Sequence, residues 1–227
     1  MKRICLFLVA LALLMGACDS SKVKIRGKVT GLQGTVKLLA EMPGQQGLVV
    51  LAEQKVEDGN INLVTEQLQI PARVWIDIDG KNTLETIVDS KDQIWIQGKA
   101  KFPDQIELKG SGLDKQYNDI KKMFKEKYEG PLEPIDKKID LILKKEKRTD
   151  EHEVLLGVYQ LQRIRYINAR ANYAKTLIEA NPTQELSLFL LQDELKDSVD
   201  LQKRLFNKLE IPNKESNAYK TVAEKMQ

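Results

Sequence analysis

The spacing of apolar residues changes at Gly110-Ser111-Gly112, and that change dictates two kinds of structure in one chain. Before it, apolar residues alternate with polar ones: Val23, Ile25, Val29; Val36, Leu38; Val74, Ile76, Ile78; Ile94, Ile96; Ile106, Leu108. A period of two sends successive side chains to opposite faces of a strand. Asp58-Gly59 and Asp79-Gly80 lie between such runs and supply the positive φ of tight turns, which predicts hairpins there. No helical pattern interrupts the series. Residues 22–110 are therefore expected to form a β domain of about seven to nine short strands, an antiparallel sandwich or partly open barrel.

After Gly112 the period becomes helical. Leu113, Tyr117, Ile120, Met123, Phe124 and Tyr128 recur at helical spacings until Gly130-Pro131 stops them. Leu132, Ile135, Ile139, Ile142 and Leu143 predict a second amphipathic helix with a Lys- and Glu-rich outer face. Asp150 with Glu153 three residues on is a capping-box pattern, opening a long helix that runs through Val154, Val158, Leu161, Ile164, Ala171 and Leu177. Asn181-Pro182-Thr183-Gln184 can cap the next helix. There Leu186, Leu188, Phe189, Leu190 and Leu191 cover nearly every side, so it must be central. Ser198 and Ile211-Pro212-Asn213 mark two further helix starts. No repeat of about 34 residues is found. The expectation is an α+β chain, with 22–110 as the β domain and 111–227 as a helical domain packed as a non-repeating bundle.

The N-terminus carries an export pattern: Lys2 and Arg3, an apolar run from Ile4 to Leu14, then Met15-Gly16-Ala17 before Cys18 and a polar Asp19-Ser20-Ser21. An apolar stretch of about 11 residues is too short for a bilayer that needs roughly 20. The pattern resembles the lipobox of bacterial lipoproteins, although Met15 is a less usual residue there. That resemblance implies a signal peptide over 1–17, lipidation at Cys18, a short tether over 18–21, and a membrane-anchored protein of the cell envelope facing the periplasm. The alternative is an ordinary secretory signal cut after Ala17, leaving a free thiol. The sequence has two cysteines, Cys5 in the signal and Cys18 at the anchor, so no disulfide can form within one mature chain. Loss of Lys2 and Arg3 takes the formal charge from +3 to about +1. A near-balanced chain lacks the clustered basic field of a nucleic-acid binder.

Candidate chemistry is sparse. His152 is the single histidine and stands among Asp150, Glu151 and Glu153. Acidic residues at a helix start complement its dipole, and a zinc site needs more ligands, so no metal or cofactor is expected. There is no Gly-x-Ser-x-Gly elbow to build a triad around that histidine, and no Walker or dinucleotide glycine pattern. Asp77 and Asp79 share a strand face and can be read either as an acid/base pair or as turn residues. Trp75 and Trp95 have the opposite parity to the isoleucines beside them, so each points away from the face those isoleucines bury. Either the helical half covers that second face, or the two indoles form a binding surface for a partner chain or glycan. Lys121, Lys122, Lys125 and Lys127, with Lys144, Lys145, Lys147 and Arg148, can lie along anionic headgroups or simply face solvent.

Several stretches together resemble a known family. Asp58-Gly59-Asn60-Ile61-Asn62-Leu63, Ile87 to Gly98, Lys109-Gly110-Ser111-Gly112-Leu113, and Asn181-Pro182 followed by Ser187-Leu188-Phe189-Leu190-Leu191 occur in the order seen in certain bacterial lipoproteins. Those proteins carry an N-terminal β domain of unknown function, a helical segment and usually a thioredoxin-like domain. In that family a Cys-x-x-Cys does the redox chemistry. With no cysteine beyond Cys18, none of it can be carried over to this chain. The expectation is a lipid-anchored, non-enzymatic binding or interaction module. The alternatives are an accessory half of an envelope redox system working with a separate thioredoxin-like partner and, more weakly, a carboxylate-dependent hydrolase.

Overall fold

The computed structural model describes residues 22–89 and 93–227, a mixed α+β structure with two sheets in the N-terminal half and helices after them. It divides into two compact units: 1–115 with 213–224, and 116–212 with 225–227. Residues 213–224, which the sequence alone assigns to the helical half, thus group with the strands.

Eight strands lie among the described residues of the first unit: β1 (Val23–Thr30), β2 (Gly34–Glu41), β3 (Leu48–Val56), β4 (Asn60–Thr65), β5 (Ala72–Ile78), β6 (Asn82–Val88), β7 (Gln93–Lys99) and β8 (Glu107–Lys109). They form two four-stranded sheets, ordered β4-β1-β7-β8 and β3-β2-β5-β6. Alternation does what it must: Ile25, Ile94 and Ile96 from one sheet and Leu38, Val74 and Ile76 from the other are wholly buried in one shared core. The ladders are antiparallel except β1–β7, which is parallel. A parallel pair needs a long crossover, and here the intervening strands supply it.

The two acidic-Gly turns behave differently. Asp79 and Gly80 both have positive φ (56° and 67°), and Lys81 N donates to Ile78 O at 3.0 Å, closing the β5–β6 hairpin. Asp58-Gly59 is not a hairpin, because β3 pairs with β2 while β4 pairs with β1. The chain changes sheet at that corner. Gly59 is required there, since a Cβ would press on the Val29 carbonyl, to which its own carbonyl is a neighbour and acceptor of Val29 N at 2.9 Å. Gln54 spans the gap by donating from Nε2 to Asn60 O (3.1 Å) and accepting from Asn62 N (2.7 Å), two bonds that a neighbouring strand would otherwise make.

Helix α1 (Gly112–Phe124) begins within the first unit. Ser111 Oγ accepts from Asp114 N (3.0 Å) and donates to Ile87 O (2.8 Å), while Asp114 Oδ1 accepts from Ile87 N (2.8 Å). The helix start therefore satisfies both backbone groups of one β6 residue. At the other end of the sequence, α6 (Asn217–Lys225) starts four residues later than Asn213. Asn213 instead donates its side-chain amide to Ile70 O at 2.8 Å. Ser216, wholly buried, accepts Tyr219 N at 3.1 Å as the cap.

In the second unit α1 continues through one π turn, Lys125–Glu129, closed by Gly130 N to Lys125 O at 2.8 Å. Then follow α2 (Leu132–Leu143), α3 (Asp150–Ala180), α4 (Leu186–Glu194) and α5 (Val199–Phe206). The cap of α3 is Thr149 rather than Asp150. His152 stands at the third helical position, its backbone N–H reaching Thr149 Oγ1 and its ring Nδ1 lying 3.1 Å from Thr149 N. Asn181 closes α3 from behind, donating to Leu177 O at 2.8 Å, instead of opening α4. All six residues from Leu186 to Leu191 are buried, as a helix apolar on every side demands. Phe124 meets Tyr173 edge-on with ring centroids 6.0 Å apart.

Candidate functional site

The outward residues of the β4-β1-β7-β8 sheet stand in rows across the strands. One row reads Asn62, Arg26, Trp95, Lys109, and the next Asn60, Lys28, Gln97, Glu107. Each is the polar partner in an alternating strand whose other face is core, so the pleat alone aligns them. Trp95 is 51% exposed, against the fully buried Ile94 and Ile96 beside it. Arg26 and Asn62 are joined by Nε donating to Oδ1 at 3.1 Å, which ties the guanidinium towards β4, across β1 from Trp95.

Between these side chains runs a groove of about 550 Å³, with Trp95 and Gln97 on one wall, Asn60 and Asn62 on the other, and β1 as its floor. Gly27 lies in β1 with φ 151° and is packed so closely on β7 that a Cβ would strike the Ile96 carbonyl. This makes a shallow, open, amide- and cation-lined face with one exposed aromatic. Sequence reasoning finds Trp95 and misses Arg26, Lys28, Asn60, Asn62 and Gln97. The shared parity of Lys24, Arg26 and Lys28 was the available signal.

The two tryptophans do not form one surface. Trp75 belongs to the other sheet, between Leu39 and Glu85 in register, and is half-buried. Parity places each indole on the outer face of its own sheet but carries no information about which sheet that is.

Asp79 serves the turn. Its Oδ1 lies 3.5 Å from Thr35 N and its Oδ2 accepts from Lys81 Nζ at 2.6 Å, and these bonds, the lysine's first, hold its carboxyl below the usual aspartate range. Asp77 lies opposite Lys37 and Thr83 on the neighbouring strands. His152 is spent on the α3 cap, with Lys145 Nζ 2.6 Å from its Nε2. Among the described residues no group of three or more His, Cys, Asp or Glu is placed to hold a metal ion, and no helix is long and apolar enough to cross a membrane. Cys18 and the whole of 1–21 lie outside the described residues.

The basic clusters of the helical unit are partly engaged. Lys121 lies over the Tyr117 ring, Lys127 over Tyr128 and Tyr173, and Arg148 pairs with Glu153 at 3.0 Å. The deepest charge arrangement there centres on Arg170. Its Nε and Nη2 donate to the two oxygens of the buried Glu194 (2.6 and 3.0 Å), and Nη1 donates to Glu129 (2.5 Å). The Glu194 hydrogen bond leads in holding the guanidinium protonated, above its ordinary range.

Along α3 the buried residues are Leu156, Ala174 and Ile178. Val154, Val158, Leu161 and Ile164, which the apolar spacing selects first, are instead exposed. Set against family models, curated proteins and solved structures, the chain matches none of them.

Proposed function

We propose that the protein is a lipid-anchored binding module of the cell envelope, held at the membrane through Cys18 and without catalytic chemistry of its own. In this reading the two sheets close on their common core as a sandwich or partly open barrel, and the helices after them form a bundle. The observation that carries the binding role is the half-exposed Trp95 set in register beside Arg26 over a preformed groove. A large aromatic left in water in the same row as a fixed cation is costly to fold around and useful for gripping a ligand.

Two measurements test the reading. Membrane fractionation of cells expressing Cys18→Ala should move the protein from the membrane to the soluble fraction, and full retention would sink the anchor. Crosslinking in intact cells, with wild type compared against Trp95→Ala, should show a ligand or partner lost in the variant. Identical crosslinking patterns would remove the groove from the function.

A second reading, an accessory module for a separate thioredoxin-like envelope protein, draws on the exposed Val154, Val158 and Leu161 of α3. Apolar side chains left in solvent along one helix are what a partner protein covers. Recovery of a thiol oxidoreductase by wild type, and its loss with Val158→Asp, is the outcome that favours it.

A further inference from the structure

We infer that the groove beside Trp95 binds an acidic glycan, a chain of sugars carrying carboxylates, with the chain laid along β1 between β4 and β7. The inference rests on the binding-module reading and names its ligand class.

The chemistry of the face sets the class. Lys24, Arg26, Lys28 and Lys109 stand on it, against two acidic neighbours, Glu107 in the rows and Asp58, which is bonded to Asn60 and interacts with Lys28. Such a local excess of positive charge attracts an anion even on a chain whose overall balance is near neutral. Arg26 is partly buried, and its Nε is already tied to Asn62, so its remaining N–H groups are oriented before any ligand arrives. A planar guanidinium held in this way matches a carboxylate through two parallel hydrogen bonds. The amides of Asn60, Asn62 and Gln97 are bonded to Asp58, Arg26 and Glu107 in turn, and each keeps a second N–H and a carbonyl lone pair, the pairing that neighbouring sugar hydroxyls require. The exposed face of Trp95 provides the apolar platform on which the C–H side of a sugar ring stacks.

Shape agrees with this. The two rows, at Arg26 and Lys28, stand about 7 Å apart along β1, so linked sugar rings lying along that strand meet both. Single-stranded nucleic acid, the other flexible polyanion, is favoured by several stacking aromatics in series, whereas these rows hold one.

The test uses Trp75→Phe in the protein lacking residues 1–17, where Trp95 is the single remaining indole. Its fluorescence is titrated with oligogalacturonate, oligomannuronate and hyaluronan oligosaccharides, with the carboxyl-reduced form of each, and with oligo(dT). A saturable change with at least one acidic oligosaccharide, at least tenfold weaker for its reduced form and tenfold weaker again in Arg26→Gln, is expected. Far-ultraviolet circular dichroism checks that each variant is folded. Equal affinity for acidic and reduced forms would overturn the acidic class while leaving a glycan-binding module standing. Saturation by oligo(dT) alone, or by nothing in the set, overturns the inference outright. Shortened oligosaccharides appearing during incubation would overturn the non-catalytic reading and leave the ligand class intact.

Discussion

Asn217 and Gln69 exchange two hydrogen bonds across 148 residues of sequence, Asn217 N donating to Gln69 O at 2.7 Å and Gln69 N donating to Asn217 Oδ1 at 3.1 Å. The buried Asn217 side chain also donates to Glu41 O at 3.2 Å, and Ala218 N donates to Pro71 O at 3.1 Å. One residue thereby stitches α6 to two loops of the β unit. Replacing Asn217 by Ala strands the Gln69 amide and the Glu41 carbonyl, at a cost of about 2 kcal/mol. For a chain of this size that is a fall in Tm of about 4–8 °C by thermal denaturation. A shift below 1 °C would mean water replaces the side chain without loss.

Ser111 and Asp114 grip the same residue, Ile87, from one helix turn. Asp114→Ala and Ser111→Ala are each expected to destabilise by about 1–2 kcal/mol, and the double variant by less than the sum, because both act on one strand end. Hydrogen exchange gives the specific readout. The Ile87 amide should exchange faster in Asp114→Ala than in Ser111→Ala, since only the aspartate accepts from it.

Thr86 is buried on β6, and its hydroxyl has no hydrogen-bond partner among the described residues. Valine keeps the shape and the strand preference and removes the unpaired group. Thr86→Val should therefore stabilise the protein by about 1 kcal/mol in urea denaturation. A destabilised variant would show that the hydroxyl is satisfied in solution.

The Asp79 carboxyl is held below its ordinary value of 3.8, first by Lys81 and then by Thr35 N. Its depressed folded-state value means that the ionised form favours folding. The stabilisation is complete above the unfolded value and disappears as pH falls through the lower, folded one. Asp79→Asn tolerates the same positive φ but cannot ionise. The stability gap between wild type and this variant should be present at neutral pH, shrink below pH 3.8, and reverse sign at no point in between. A gap independent of pH would assign the effect to hydrogen-bond geometry alone.

Arg170 faces the buried Glu194 with two bonds and the more exposed Glu129 with a third. Arg170→Ala leaves the Glu194 charge uncompensated and should cost roughly 2–4 kcal/mol, less than a fully buried pair because the guanidinium is partly solvated. Arg170→Lys restores charge without the two-pronged contact and should recover less than half. Equal stability of the two variants would indicate that charge is irrelevant there.

The strands were legible because burial on one face leaves a period of two, and the outward parity of Trp95 followed from Ile94 and Ile96. What the spacing could not encode was partnership. Asp58-Gly59 has the composition of a hairpin turn, yet a glycine serves a change of sheet equally well, and the deciding contact is made by Gln54, outside the turn. Likewise α3 is apolar on more than one side, so its periodicity selects Val154, Val158 and Leu161 while the residues that are buried are Leu156, Ala174 and Ile178. The groove depends on rows formed by β4, β1 and β7 together. Arg26 and Trp95 are neighbours only because two distant strands run parallel, and no local signal announces that.

The parallel pairing of β1 with β7 also governs the order in which this protein can assemble. β1 sits in the interior of its sheet, yet one neighbour, β4, is about 35 residues away and the other, β7, about 70, with α6 joining the same unit from a further hundred residues downstream. Contacts of that sequence separation demand closure of long loops before they return any stabilisation. An emerging chain can form the β2–β3 and β5–β6 hairpins early, but β1 must wait with one unsatisfied edge until Gln93–Lys99 is available. Such late closure keeps the first strand open through most of synthesis and reserves compaction of the β unit for the end.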